Sequence, residues 1–269
     1  MDAVLLFSGQ GAQKVGMGKD LYDQYPVAKA LIEQADKALG ESLSAVMFEG
    51  PGEELTRTCN CQPALYVHGL ACLAVLKELV PSLNPVAAAG LSLGEFTAHA
   101  AAGTYSFEEG LRLVQKRGAF MEEACNATKG TMAAMIGGTD ENVIKLAQEC
   151  DVDVANFNCP GQTVVSGTEE GVAKAVAGAK AAGCKIAKKL NVAGAYHSRL
   201  MHSAMVKLAE ELKNISFGTP SMPVYCNYEA RVVEGPDDIR SMLEHQVCGS
   251  VRWTASMQKL VDQGHRLFH

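Results

Sequence analysis

The stretch Val86-Ala87-Ala88-Ala89-Gly90-Leu91-Ser92-Leu93-Gly94-Glu95-Phe96 decides how the rest of the chain is read. An apolar run of small residues leads into Gly-x-Ser-x-Gly and then into a helix-compatible segment. That is the sequence form of a nucleophile elbow, a sharp strand-to-helix turn with serine at its apex. Gly90 and Gly94 suit such a turn, because a Cβ at either place would crowd neighbouring backbone. The turn pushes the Ser92 hydroxyl toward substrate. It also aims the Leu93 backbone N–H into the same space, at a helix start where the dipole favours developing negative charge.

On either side of the elbow, strand-like and helix-like stretches alternate, which argues for an α/β fold with a largely parallel sheet. Ala3–Phe7 reads as a buried first strand and Leu21–Leu39 as one amphipathic helix. Ala64–Leu79 and Phe107–Ala124 read as further helices, and no segment is assigned between Leu39 and Ala64. The rhythm then changes. Thr131–Ile136, Val152–Phe157, Thr163–Ser166 and Lys185–Leu190 are strand-like, with helices at Asp140–Cys150 and Glu169–Ala182. This β-α-β-β-α-β order is the ferredoxin-like pattern. It is bounded near Asn126–Gly130 and Asn191–Gly194. Beyond it come a helix at Leu200–Leu212, a strand at Val224–Asn227, helices from Pro236 and over Val251–Gln263, and a strand opening at Leu267–His269.

With 269 residues and 48% hydrophobic content, the chain can bury one large core or two modest ones. No apolar stretch is read as reaching the ~18 residues of a membrane span. The first residues lack a basic n-region and so do not read as a signal peptide. The net charge of −6 and the lack of a long basic run argue against nucleic acid as a partner. The nine cysteines are scattered and odd in number, with no Cys-x-x-Cys, so free thiols in a reducing, cytoplasmic setting are expected.

A serine hydroxyl needs a base to take its proton. Of seven histidines, His197 is the best placed: it follows the return from the inserted segment and precedes a helix, at a junction where clefts form. His99 sits about two turns along the elbow helix and should point away from the hydroxyl. His197 and His202 do not share one helix face, so a metal site is rejected. The turn Ser8-Gly9-Gln10-Gly11-Ala12-Gln13 lacks the third glycine of a dinucleotide fingerprint. It can instead bring the Gln10 backbone N–H or side chain into a cleft as an oxyanion donor.

Five segments stand in order: Gly9-Gln10-Gly11-Ala12-Gln13, Gly90-Leu91-Ser92-Leu93-Gly94-Glu95-Phe96, Gln115-Lys116-Arg117, Asn156-Phe157-Asn158-Cys159-Pro160-Gly161-Gln162 and Gly194-Ala195-Tyr196-His197-Ser198. Together they resemble the malonyl-CoA:acyl-carrier-protein transacylases of fatty-acid synthesis and the related acyltransferase domains of polyketide synthases. The expected fold is an α/β-hydrolase-like large subdomain with a mainly parallel sheet, residues 1–127 and 193–269, plus an inserted ferredoxin-like small subdomain, residues 128–192. The resemblance implies a Ser92 nucleophile, a His197 base, an oxyanion hole from the N–H groups of Gln10 and Leu93, and Arg117 on the malonyl carboxylate. It further implies the Gln246 backbone carbonyl as the group orienting His197, with Gln62 and Asn158 lining the cleft. Malonyl-CoA and acyl carrier protein are the implied partners, with no cofactor, no metal, no membrane and a monomeric state expected. Tyr196-His197-Ser198 resembles the malonyl-selective form.

Two departures stand out. Many family members carry histidine where Leu91 stands. The family also usually continues past Arg266-Leu267-Phe268-His269 with a strand, a Gly-Pro-Gly turn and a helix, so an uncovered sheet edge and lower stability are expected of this chain. Two rivals follow. A serine thioesterase or esterase would need an acidic triad member, for which Asp140, Asp151 and Asp153 are the available residues. A carrier-protein-binding fragment without activity would bind through basic residues such as Lys185, Lys188, Lys189 and Arg199.

Overall fold

The computed structural model describes residues 1–269. The large subdomain is centred on a parallel sheet of β1 (Asp2–Phe7), β2 (Asn84–Gly90) and β7 (Val224–Tyr225), in the order β1-β2-β7. Leu267 and His269 extend it by running parallel beside β1, with the Val4 N–H donating to the Leu267 carbonyl at 2.9 Å. Alternate residues of β1 enter different cores: Leu5 and Phe7 join the main one, whereas Val4 packs with Ala87, Ala89, Tyr225 and Leu260. Both faces are covered, as a parallel sheet requires.

The first helical region is two helices, α1 (Lys19–Gln24) and α2 (Pro26–Leu39), rather than the single one expected. Tyr25 between them is extended (φ −123°, ψ 112°), because the ring of Pro26 disfavours the helical region for the residue before it. Two short helices, α3 (Leu43–Glu49) and α4 (Gly52–Thr56), occupy the stretch left unassigned. The long helix α5 starts at Thr58, not Ala64, and runs to Leu79 with Pro63 inside it. A proline reads as a break, but tertiary burial of Cys61, Gln62, Pro63, Ala64 and Leu65 carries the helix through. An 18-residue window within its 22 residues reaches a mean hydropathy of 1.3, so one segment does have the length and composition of a membrane span. It is a core helix: 61% of that window is buried inside the protein. The elbow helix α6 (Leu93–Ala101) and α7 (Phe107–Ala127) complete this half. A reciprocal capping box between Ser106 and Glu109 starts α7.

The small subdomain is an antiparallel sheet of β3 (Gly130–Ile136), β4 (Asp153–Cys159), β5 (Gln162–Thr168) and β6 (Ile186–Lys189), ordered β4-β5-β3-β6. Helices α8 (Asp140–Glu149) and α9 (Glu169–Gly178) cover one face. Period-two alternation divides the strands: Ala133, Met135 and Val165 pack with the helices, while Met132, Val164 and Asn158 face a cleft against the large subdomain. After a short 3-10 turn at Arg199–Met201, α10 (His202–Lys213), α11 (Pro236–His245) and α12 (Trp253–Asp262) return the chain to the large subdomain.

The elbow is jammed between strand ends. A Cβ on Gly94 would lie 2.2 Å from the Phe7 carbonyl oxygen, and one on Gly90 would lie 1.9 Å from the Gly94 carbonyl carbon. Gly94→Ala should therefore cost about 3 kcal/mol or more, beyond ordinary overpacking, because backbone and not a side chain has to move. A thermal melt checks this; a melting temperature unchanged within ~2 °C would contradict the crowding.

Candidate active site

Ser92 sits between β2 and α6 at φ 54° and ψ −105°, a conformation that non-glycine residues rarely adopt. The strain presents its Oγ to the cleft. His197, also at φ 54°, arrives on the loop that leaves the small subdomain. Its Nε2 is 2.8 Å from Ser92 Oγ, and its Nδ1 is 2.9 Å from the Gln246 backbone carbonyl. A carbonyl can only accept, so Nδ1 carries the proton and donates to it. Nε2 then holds the lone pair that faces the serine hydroxyl. Burial, reinforced by the nearby Arg117 charge, pushes the His197 pKa down to about 4. The imidazole is neutral at neutral pH, the form a base requires.

Arg117, on the inner face of α7, is 1% exposed. One terminal nitrogen donates to Gln62 Oε1 (2.7 Å); the other donates to Gln246 Oε1 (2.8 Å) and to Ser92 Oγ (3.1 Å). Its Nε has no partner, and its guanidinium carbon stands 5.0 Å from the centre of the Phe96 ring. Burial lowers its pKa to about 10, so it stays cationic. A cation thus lies within hydrogen-bond reach of the Ser92 hydroxyl, on the lining of a cavity of about 490 Å³.

Gln10, Leu93, Gln62, Asn158, Tyr196 and Trp253 all line that cavity. The backbone N–H groups of Gln10 and Leu93 donate to no protein acceptor, which leaves both available. Asn158 donates from Nδ2 to Gln162 Oε1 (3.1 Å), and its own Oδ1 is unpartnered. Tyr196 Oη is 2.6 Å from Thr58 Oγ1 and accepts from Gln10 Nε2 at 3.5 Å, linking the first turn to the histidine loop. Seven of the eight candidate site residues therefore line one cleft, and the eighth, Gln246, is fully buried behind it, in contact with Arg117 and His197. His99 does not line it: it is buried, with Nδ1 3.2 Å from Thr104 Oγ1.

The acyl transferase domain family matches residues 4–268. A Bacillus subtilis protein named malonyl CoA-acyl carrier protein transacylase is 43% identical over 268 residues, covering 98% of this chain and 84% of that protein. This chain belongs to the malonyl-CoA:acyl-carrier-protein transacylase family. The Escherichia coli transacylase of the same name is 40% identical over 263 residues, covering 96% of this chain and 85% of its own. Among solved structures, the Coxiella burnetii transacylase superposes with a TM-score of 0.95 at 35% identity, covering 99% of this chain and 86% of that one. A malonyl-transacylase solved in complex with its type II PKS acyl-carrier protein gives 0.96 at 36% identity, covering 100% and 88%.

Within this transacylase fold, the acidic residues considered for a hydrolase triad are engaged elsewhere. Asp140 accepts from Thr163 Oγ1 (2.6 Å), and Asp151 and Asp153 hold Arg199. That pairing also removes Arg199 from the free basic surface, and Lys189 lies 3.6 Å from Glu169. Two residues of the transacylase site escaped sequence reasoning. Glu95 is fully buried beside Gln246, and Asn227 holds the elbow backbone. For Glu95 a signal existed: a lone carboxylate among the apolar residues of the elbow helix. Asn227 carried none.

Proposed function

We propose that this chain transfers the malonyl group of malonyl-CoA to the phosphopantetheine thiol of acyl carrier protein, through an ester on Ser92. The observation that carries this reading is Arg117 Nη within 3.1 Å of Ser92 Oγ, in a site where His197 Nε2 stands 2.8 Å from the same oxygen. A nucleophile beside a buried guanidinium suits an acyl group that ends in a carboxylate.

In the first half-reaction Ser92 Oγ attacks the thioester carbonyl and its proton passes to His197 Nε2. The N–H groups of Gln10 and Leu93 receive the oxyanion. The carbon–sulfur bond breaks, and His197 returns the proton to the coenzyme A sulfur. In the second half the carrier thiol gives its proton to His197, attacks the ester, and Ser92 leaves with that proton. Met121, Met132 and Val192 on the cavity wall disfavour a bound water. The large subdomain takes residues 1–127 and 193–269 and the inserted one residues 128–192, so that the carrier's prosthetic arm enters the cleft between them. The chain's product would be a malonylated carrier for fatty-acid synthesis.

The test is intact-protein mass after brief mixing with malonyl-CoA. Gain of one malonyl group, discharged when holo carrier protein is added, is expected. A folded protein that gains nothing, or that loses the group equally fast to water alone, would sink the reading.

The low pKa of His197 has a sign that can be checked. Protonation removes the base, so acylation should hold a plateau as pH falls through 6.5 and decline only toward the folded-state value of about 4. Stability follows the same group: between the two values the unfolded chain binds more protons, so this histidine makes the fold less stable as pH falls. An acid limb centred near ~6.5, measured by rapid-mix acylation on folded protein, would mean an unperturbed base.

A further inference from the structure

Beneath the residues that face substrate lies a buried polar joint. Glu95, on α6, is 0% exposed. Its Oε2 accepts two hydrogen bonds, from the Asn227 backbone N–H (2.9 Å) and from Gln246 Nε2 (2.6 Å), while Oε1 has no partner. Asn227 in turn grips the elbow: its Oδ1 accepts from the Ser92 N–H (2.6 Å) and its Nδ2 donates to the Gly90 carbonyl (2.7 Å). Gln246 reaches the other parts of the site. Its Nε2 also donates to the Ser92 carbonyl (2.9 Å), its Oε1 accepts from Arg117, and its backbone carbonyl holds His197.

One carboxylate oxygen is thus the meeting point of three chain segments: the elbow helix, the turn after β7 and the end of α11. Burying a carboxylate is costly unless it is fully paired, and here one oxygen goes unpaired. The adjacent Ser92 backbone is strained and persists only if its surroundings over-determine it. We infer that Glu95 is a positioning residue for acyl transfer, clamping Asn227 and Gln246 so that Ser92, His197 and Arg117 keep one geometry. Burial raises its pKa to about 7. Ionised, or protonated on the unpartnered Oε1, the group keeps Oε2 as the acceptor for both donors, so the joint works by that oxygen. The inference rests on the acyl-transfer reading only for the identity of the acyl donor.

Two near-isosteric variants separate placement from charge. Glu95→Gln keeps the length and can present Oε1 to both donors, leaving its amide nitrogen in the unpartnered position. Glu95→Asp keeps the charge but retracts the oxygens. Acylation with malonyl-CoA is measured by rapid mixing, at a temperature below the melting transition of every variant. Glu95→Asp should lose ~100-fold, mostly in kcat and not KM, since a misplacement of about 1 Å is enough for that. Glu95→Gln should recover to within ~10-fold of the parent. A Glu95→Asp protein that acylates within ~10-fold of the parent, or a Glu95→Gln protein as impaired as Glu95→Asp, overturns the inference.

Should Glu95→Asp fail to fold, Asn227→Asp tests the other arm of the joint. It keeps the acceptor for the Ser92 N–H but sets an oxygen against the Gly90 carbonyl. A loss of ~10-fold or more in kcat supports the clamp, and parent-like kcat overturns it. Labelling of Ser92 by a fluorophosphonate runs in parallel, since it needs the elbow and base but no malonyl group. If the parent labels yet takes no malonyl, the donor reading fails while the ranking of the variants still decides the role of Glu95.

Discussion

Ser92→Ala should leave the protein folded and unable to gain mass from malonyl-CoA, with transfer to carrier protein reduced by ~10⁴-fold or more. The size of the effect follows from the geometry. Two side chains in the cleft converge on the Ser92 Oγ: His197 Nε2 at 2.8 Å and Arg117 Nη at 3.1 Å. The cleft holds no second hydroxyl in that position, so nothing can substitute as acyl acceptor. Alanine at φ 54° keeps the backbone in a strained region, so its melt should stay close to that of the parent, whose serine bears the same strain. The combination is diagnostic: lost acylation with a retained melt assigns the chemistry to the hydroxyl. Mass gain on the alanine variant would place the acyl group on another residue and remove the basis of the mechanism.

The second large effect is on substrate choice. Arg117→Ala should reduce kcat/KM for malonyl-CoA by ~10²- to 10³-fold, the range seen when one partner of a buried charged pair is truncated. Acetyl-CoA, which has no carboxylate to pair, should suffer far less, so the preference narrows or inverts. Part of the loss will be structural, because Gln62 Oε1 and Gln246 Oε1 each lose their donor. Arg117→Lys is the informative control. One ammonium cannot replace a fork that reaches Gln62 on one side and Gln246 with Ser92 on the other, so rescue should be slight. Malonyl transfer within ~3-fold of the parent in either variant would show that the carboxylate is held elsewhere.

How much of this could be read in advance depends on whether the signal was local. The elbow was legible because tight backbone packing demands glycine at both flanking positions, and the small subdomain because period-two and period-3.6 patterns alternate cleanly there. The break at Tyr25 and the passage of α5 through Pro63 were not, for opposite reasons: the pre-proline effect overrode a continuous apolar face, and burial overrode a proline. The large sheet's third strand is only Val224–Tyr225, shorter than the Val224–Asn227 that the apolar pattern suggests. Spacing alone pointed to Ser92 and made His197 a candidate among seven histidines. Arg117, Gln246 and Gln62 needed the resemblance, because a helical arginine and two glutamines have no local pattern that marks them as buried. Asn227 stayed silent altogether, since its role exists only once the turn after β7 meets the elbow.

His197 is oriented by a neutral carbonyl and not by a carboxylate, and under the proposed mechanism this bears on which nucleophile would empty an ester on Ser92. With no counter-charge behind it, the imidazolium is poorly stabilised and the imidazole is a weak proton acceptor. A thiol, with pKa ~8.5, yields its proton to such a base far more readily than water, with pKa ~15.7. Serine shares water's disadvantage, but it is held in place and receives a hydrogen bond from a guanidinium, which a diffusing water does not. Under that mechanism, chemoselectivity for sulfur over oxygen would follow from the choice of one backbone oxygen, and a stored ester would wait for its carrier.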